Sequence, residues 1–174
     1  MARTGRFTSC RILHLPNNFQ SQKFVIKKNT ITQDHIHRIV TGFEGGTLPK
    51  EEWTHEAHLI MALYYVLNLD ANAVLSHIRS GIIRYNESVG TANTATSGYH
   101  ETLTVFYVQE VLRFLEHTDR TQPIAILAQE LLASETAERS YPLRFYTKER
   151  LFSSEARAMY VAPDSEHIQD LAHV

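Results

Sequence analysis

Apolar residues recur at three- and four-residue intervals over most of this chain, the period of amphipathic helices. Ile36, Ile39 and Val40 form the first stripe. Thr32 or Asp34 is placed to cap the helix they predict, which ends near Phe43 where Gly42, Gly45 and Gly46 interrupt it. A second helix is expected from Pro49 or Thr54 to Asn68. Pro49 suits a first turn, because its missing N–H would have no partner there, and Thr54 offers a hydroxyl as N-cap. Its stripe is Trp53, Ala57, Ile60, Tyr64 and Leu67, with His55, Ala62 and Val66 on an adjacent face beside His58. Asp70 is a natural N-cap for a third helix over 71–86, whose buried side is Val74, Leu75, Ile78, Ile82 and Tyr85. Gly81 on that helix permits a close crossing. The small, polar stretch 88–98 reads as a loop. Ser97 is the expected cap of a fourth helix over 98–117, with Leu103, Phe106, Val111 and Phe114 inward. Pro123 opens a further helix to Ala133. Another helical segment is expected over 143–151. Ser153 or Ser154 caps a last short turn through Ala158, closed by Pro163.

Alternating strand patterns are scarce after position 33, and there is no internal repeat. The expected fold is all-α, a bundle of about five to six helices. The helical domain covers 32–165, after an irregular basic segment, 1–31, and before a C-terminal tail, 166–174. Phe24-Val25-Ile26 reads as a short extended piece inside the first segment.

A length of 174 residues suits one domain with a sizeable core. The net charge of −2 gives the whole molecule no bias toward nucleic acid or membranes. The longest apolar run, from Leu59 to Leu67, contains two tyrosines and is too short to span a bilayer. Cys10 is the only cysteine, which excludes an internal disulfide and a Cys-based zinc site. Charge is unevenly spread. Arg3, Arg6, Arg11, Lys23, Lys27 and Lys28 precede position 34, and all 19 acidic residues lie at or after it. The expected location is cytoplasmic, or organellar if this acid-free start is a transit segment. A nucleic-acid arm is disfavoured, because no dense basic cluster is interleaved with aromatics.

Two short segments carry the candidate chemistry: Thr54-His55-Glu56-Ala57-His58 and Tyr99-His100-Glu101-Thr102. The second and third helices are joined by one or two residues and must be antiparallel. The longer loop returns the fourth helix easily beside the third. The starts of helices two and four then share one end of the bundle with the finish of helix three. His55, His58, His100 and Glu101 are the candidate catalytic residues. On a helix, positions three apart differ by about 60° and ~4.5 Å along the axis, so His55 and His58 can face one pocket. His55, His58 and His100 can also be read as ligands for zinc or another divalent metal. Without a metal, a histidine would act as general acid/base oriented by Glu101 or Glu56. Arg84, Tyr85, Asn86, Arg150 and Arg157 are candidate substrate-binding residues, with Arg79 a further holder of an anionic group. Competing readings are a solvated Arg84 paired with Glu87, a core Tyr85, a chain-turning Asn86 and surface ion pairing for the C-terminal arginines. His55-Glu56-Ala57-His58 lacks the spacing of a metalloprotease helix. No His-Asp doublet, phosphate-binding glycine loop or nucleophile elbow is present.

Trp53-Thr54-His55-Glu56-Ala57-His58-Leu59, Tyr99-His100-Glu101-Thr102, and Arg150-Leu151-Phe152-Ser153 with Ala156-Arg157 and Pro163-Asp164 together resemble an uncharacterised family of small all-helical proteins. The resemblance covers about 35–165. It implies that His55, His58, His100, Glu101, Arg150, Ser153 and Arg157 belong to the family pattern, and it implies no particular activity. The expected function is a small-molecule enzyme using a His/Glu pocket at one bundle end. The alternative is a non-catalytic binding or interaction module, in which His55 and His100 merely satisfy buried helix ends.

Overall fold

The computed structural model describes residues 30–165, so the expected extended piece at Phe24-Val25-Ile26, nearly all of the basic segment and the expected tail lie outside the described residues. The described chain is all-α. It contains α1 (Gln33–Glu44), α2 (His55–Asn68), α3 (Ala71–Ser88), α4 (Glu101–Glu116), α5 (Ile124–Ala133), α6 (Lys148–Leu151) and α7 (Ser154–Ala158). Single 3₁₀ turns occupy Lys50–Glu52, Glu135–Ala137 and Tyr141–Arg144, and no strand occurs among the described residues. None of the helices described is long and apolar enough to cross a membrane.

α2 is the hub and packs against α1, α3, α4 and α5. An amphipathic stripe is what its sequence predicts. Instead Ala57, Leu59, Ile60, Met61, Ala62, Leu63 and Tyr65 are all buried, whereas Tyr64 and Leu67 of the expected stripe are half-buried. A helix enclosed on every side must be apolar all round. Each fully buried leucine or isoleucine here contributes about 1.5–3 kcal/mol relative to exposure. The Thr54 hydroxyl accepts from Ala57 N at 3.3 Å and so starts α2, as expected. Pro49 opens the separate Lys50–Glu52 turn rather than the helix itself. Thr32, not Asp34, caps α1, accepting from His35 N at 3.1 Å. Asp70 is the N-cap residue of α3, but its side chain makes no capping bond.

α3 buries Val74, Ile78, Ile82 and Tyr85, while Leu75 is half-buried. Gly81 faces α1: a Cβ there would lie 2.7 Å from Phe43 Cζ. Phe43 in turn stacks on Trp53 at 4.8 Å and meets Tyr85 at 5.7 Å. The absence of one side chain thus admits the ring that joins α1, α2 and α3.

α4 begins later than the sequence suggests. Gly98 has φ +74°, outside the helical region, and a Cβ there would come within 2.6 Å of the Ala92 carbonyl. The chain must turn at that point, and His100 rather than Ser97 is the N-cap. The expected segment over 143–151 is likewise divided. Pro142 sits in a 3₁₀ turn, and Thr147 starts α6 by accepting from Arg150 N at 3.3 Å. Between them Phe145 O accepts from Asp164 N and Ser165 N, and the buried Tyr146 hydroxyl donates to Val161 O at 3.1 Å. These long-range bonds outweigh continuation of a helix. Phe106, Tyr146, Leu151, Ala156 and Val161 form a small second core under this C-terminal segment.

Candidate functional site

A cavity of about 580 Å³ opens at the bundle end where α2 and α4 start and α3 finishes. Its size is typical of small-molecule sites. The walls are helix stripes. α2 supplies His55, His58, Met61 and Ala62; α3 supplies Ile78, Ile82 and Asn86; α4 supplies Leu103, Thr104, Tyr107 and Val108, with its cap His100 above them. Residues three and four apart lie on one helix face, so each stripe continues from its histidine or asparagine. The C-terminal segment closes the far side with Pro142, Leu143, Leu151 and Phe152. The expected antiparallel convergence of His55, His58 and His100 on one cavity is therefore present.

The three imidazoles have different tasks. His58 Nδ1 lies 2.7 Å from Thr54 O. A carbonyl only accepts, so Nδ1 carries the proton and Nε2 holds the lone pair. Trp53 lies against the ring at 3.9 Å. Burial drives the imidazole down to about 4, against the opposing pull of the Thr54 carbonyl, so it is neutral at pH 7. His55 is also lowered by burial, with Glu56 pulling it up and Arg139 pushing it down. Its ring meets Tyr107 edge-on at 5.0 Å. Its Nε2 is buried and unpaired among the described residues, an uncommon condition for an interior polar atom.

His100 is a clasp. Its Nδ1 accepts from Leu103 N at 3.3 Å, and its Nε2–H donates to Leu151 O at 2.9 Å. Both nitrogens are engaged, and burial with the nearby Arg157 holds the ring below its usual value. This corrects the metal reading. His100 has no lone pair to offer, and no group of three or more His, Cys, Asp or Glu among the described residues is arranged to hold an ion. His55, His58 and His100 line one cavity without forming a metal centre.

Glu101 is a second correction. It is buried but does not line the cavity. Its carboxylate takes both oxygens to Arg79 Nε at 2.9 Å, and Oε2 also accepts from the Tyr99 hydroxyl at 2.6 Å. Burial would raise this carboxyl, yet Arg79 and Tyr99 together hold it below the usual range. Arg79 is thereby committed to Glu101 rather than to a ligand.

The candidate substrate residues also divide. Asn86 lines the cavity and donates to Asn93 Oδ1 at 2.8 Å; that oxygen also accepts from Tyr99 N at 2.9 Å. Asn86 thus fixes the loop as well as facing the cavity. Tyr85 is core, its hydroxyl donating to Leu48 O at 2.9 Å. Arg84 is exposed and off the lining. Arg150 and Arg157 do not reach over the cavity. Arg150 Nε donates to Ala162 O at 2.7 Å, and Arg157 Nη1 donates to Gly98 O and Tyr99 O at 3.1 and 3.0 Å. Among the described residues neither arginine makes an ion pair; both bind backbone. Ser153 caps α7, accepting from Ala156 N at 3.1 Å. The Thr102 hydroxyl donates to Met159 O and accepts from Val161 N, at 3.0 and 3.1 Å. These contacts hold the C-terminal wall against the start of α4.

Lys50, Tyr107 and Arg139 line the cavity and were not among the residues the sequence singled out. Tyr107 and Thr104 are legible once the His100 stripe is extended along α4. Arg139 lies in a turn with no motif around it and gives no such signal. Compared with known proteins, the chain matches no family model, no curated protein and no solved structure.

Proposed function

We propose that the chain takes a small organic molecule into the bundle-end cavity, where His58 accepts a hydrogen bond from it. The observation that carries this reading is the His58 ring. Thr54 fixes its tautomer, burial keeps it neutral, and Nε2 is left as a directed acceptor on an otherwise largely apolar lining. Such sites combine apolar walls with few placed polar groups. The unpaired His55 Nε2 beside Tyr107 is a second polar atom that a ligand-bound arrangement can satisfy.

General acid/base catalysis at His58 is the second reading, favoured by the same fixed tautomer. The magnitude weighs against it in the free protein. A base whose conjugate acid titrates near 4 stands about three pK units below the poise suited to neutral pH. Recognition requires only the lone pair. A catalytic role requires that the bound substrate raise His58, and Glu101 is not available to help.

The test is methyl and imidazole NMR on the full chain with neutral fragments that differ in hydrogen-bond donors. Phenol and indole are expected to shift the Ile78, Ile82 and Val108 methyls and His58 ¹⁵Nε2. Anisole, which has no donor, should bind more weakly. If none of these fragments moves the lining methyls, the small-molecule reading is wrong.

A further inference from the structure

Resting on that reading, we infer that the ligand is an organic acid: an aryl body, a hydroxyl or N–H for His58, and an ionised carboxylate for Lys50 or Arg139. The first support is the charge of the lining. Lys50 and Arg139 face the cavity, and among the described residues no Asp or Glu does. Both are exposed at its edge, and neither makes an ion pair among the described residues.

Three of the surrounding acids are engaged elsewhere. Glu101 is turned to Arg79 and Tyr99. Glu52 pairs with Arg38. Glu110 pairs with Arg113. Glu56 is exposed and off the lining; it lies near enough to Arg139 to feel its charge but makes no ion pair with it. On the lining itself a cationic ligand would therefore meet two like charges and no counter-charge. A neutral ligand would leave both cations unused. A carboxylate matches either of them, and Arg offers it a two-pronged donor.

The second support is the polarity of His58. A lone pair repels an anion, so the carboxylate cannot sit there. The ligand must place a donor at His58 and its negative charge at Lys50 or Arg139, which makes it bifunctional. The third support is the cavity wall, where Trp53, Tyr99, Tyr107 and Phe152 supply aromatic surface. Phe152 is 58% exposed while lining the cavity, an apolar cost that a ligand body would offset.

The experiment compares three probes that share a phenol and differ in charge: 4-hydroxyphenylacetate, 4-hydroxyphenylacetamide and tyramine. Each is titrated into the full chain while the Ile78, Ile82 and Val108 methyls are followed by NMR. The acid should bind at least about fivefold tighter than the amide, the order expected for a partly solvated charge contact. Tyramine should bind more weakly than either. The double variant Lys50→Met/Arg139→Met, which keeps apolar stems on the lining and removes both charges, should abolish the preference for the acid over the amide, with wild-type-like spectra elsewhere. Added salt should weaken the acid selectively. Equal or tighter binding of the amide or tyramine at the same methyls overturns the inference and leaves the cavity reading intact. No methyl shift with any of the three also overturns it. The cavity reading is judged separately by the neutral fragments.

Discussion

Replacing His100 with Ala removes two bonds that one ring makes in opposite directions. The Leu103 N–H at the start of α4 loses its acceptor, and the Leu151 carbonyl loses its donor. Loss of an N-cap costs about 1 kcal/mol. A buried carbonyl left without a partner costs about 1–3 kcal/mol more. The expected destabilisation is about 2–4 kcal/mol, a large share of a typical domain's total. Urea unfolding followed by the fluorescence of Trp53, the single tryptophan, measures it directly. At a slope of about 2 kcal/mol per molar the midpoint should fall by ~1–2 M. His100→Asn separates the two bonds. Asn is a good N-cap, but it is too short to reach Leu151, so it should recover only about 1 kcal/mol. A His100→Ala midpoint equal to wild type would refute the clasp. An Asn variant as stable as wild type would show that the Leu151 bond contributes nothing.

Gly81→Ala should destabilise by about 1–3 kcal/mol in the same urea assay despite the better helix propensity of alanine, because Phe43 is enclosed and cannot yield to the new Cβ. His58 makes stability depend on pH. Its folded value lies below the ordinary 6.5, so the unfolded chain binds more protons; the contribution is present above pH 6.5 and is lost as pH falls toward about 4. The full shift corresponds to at most about 3 kcal/mol, less because the ring is partly exposed. Urea midpoints measured from pH 7 to 4 should therefore decline less steeply in His58→Gln than in wild type. Glu101→Gln should weaken the Arg79 and Tyr99 contacts and lower stability by about 1 kcal/mol, yet leave phenol-induced shifts of the lining methyls unchanged. Altered phenol binding would return Glu101 to the cavity.

The helical architecture and the convergence of the histidines were legible because both follow from local rules. Ile36, Ile39, Val40 and the Val74–Ile78–Ile82 series carry the 3.6-residue period, and the short Leu69-Asp70 connection leaves α3 no direction but back. What was not legible depends on where a side chain turns. Glu101 and His100 are adjacent in sequence, and nothing in Tyr-His-Glu-Thr tells which of them faces inward. Arg79 lies more than twenty positions earlier, and it decides the matter. α2 reads as amphipathic because Tyr64 and Leu67 fit a stripe, but burial on the opposite side comes from α4 and α5, elements far along the chain. The C-terminal arginines looked ready for an anion because charge suggests charged partners. They bind the carbonyls of Ala162, Gly98 and Tyr99 instead. Arg139 was invisible for the converse reason: its position matters only through the shape of the finished molecule.

Because one rim of the cavity belongs to the helical hub and the opposite rim to a segment fastened by His100, Thr102 and Arg157, occupancy and fastening are thermodynamically coupled. A guest that touches both rims holds the segment down by its own affinity, and a loosened segment weakens the guest by the same factor. Cleavage rates in the Tyr141–Tyr160 region would then report filling of the site, a readout that requires no knowledge of any reaction.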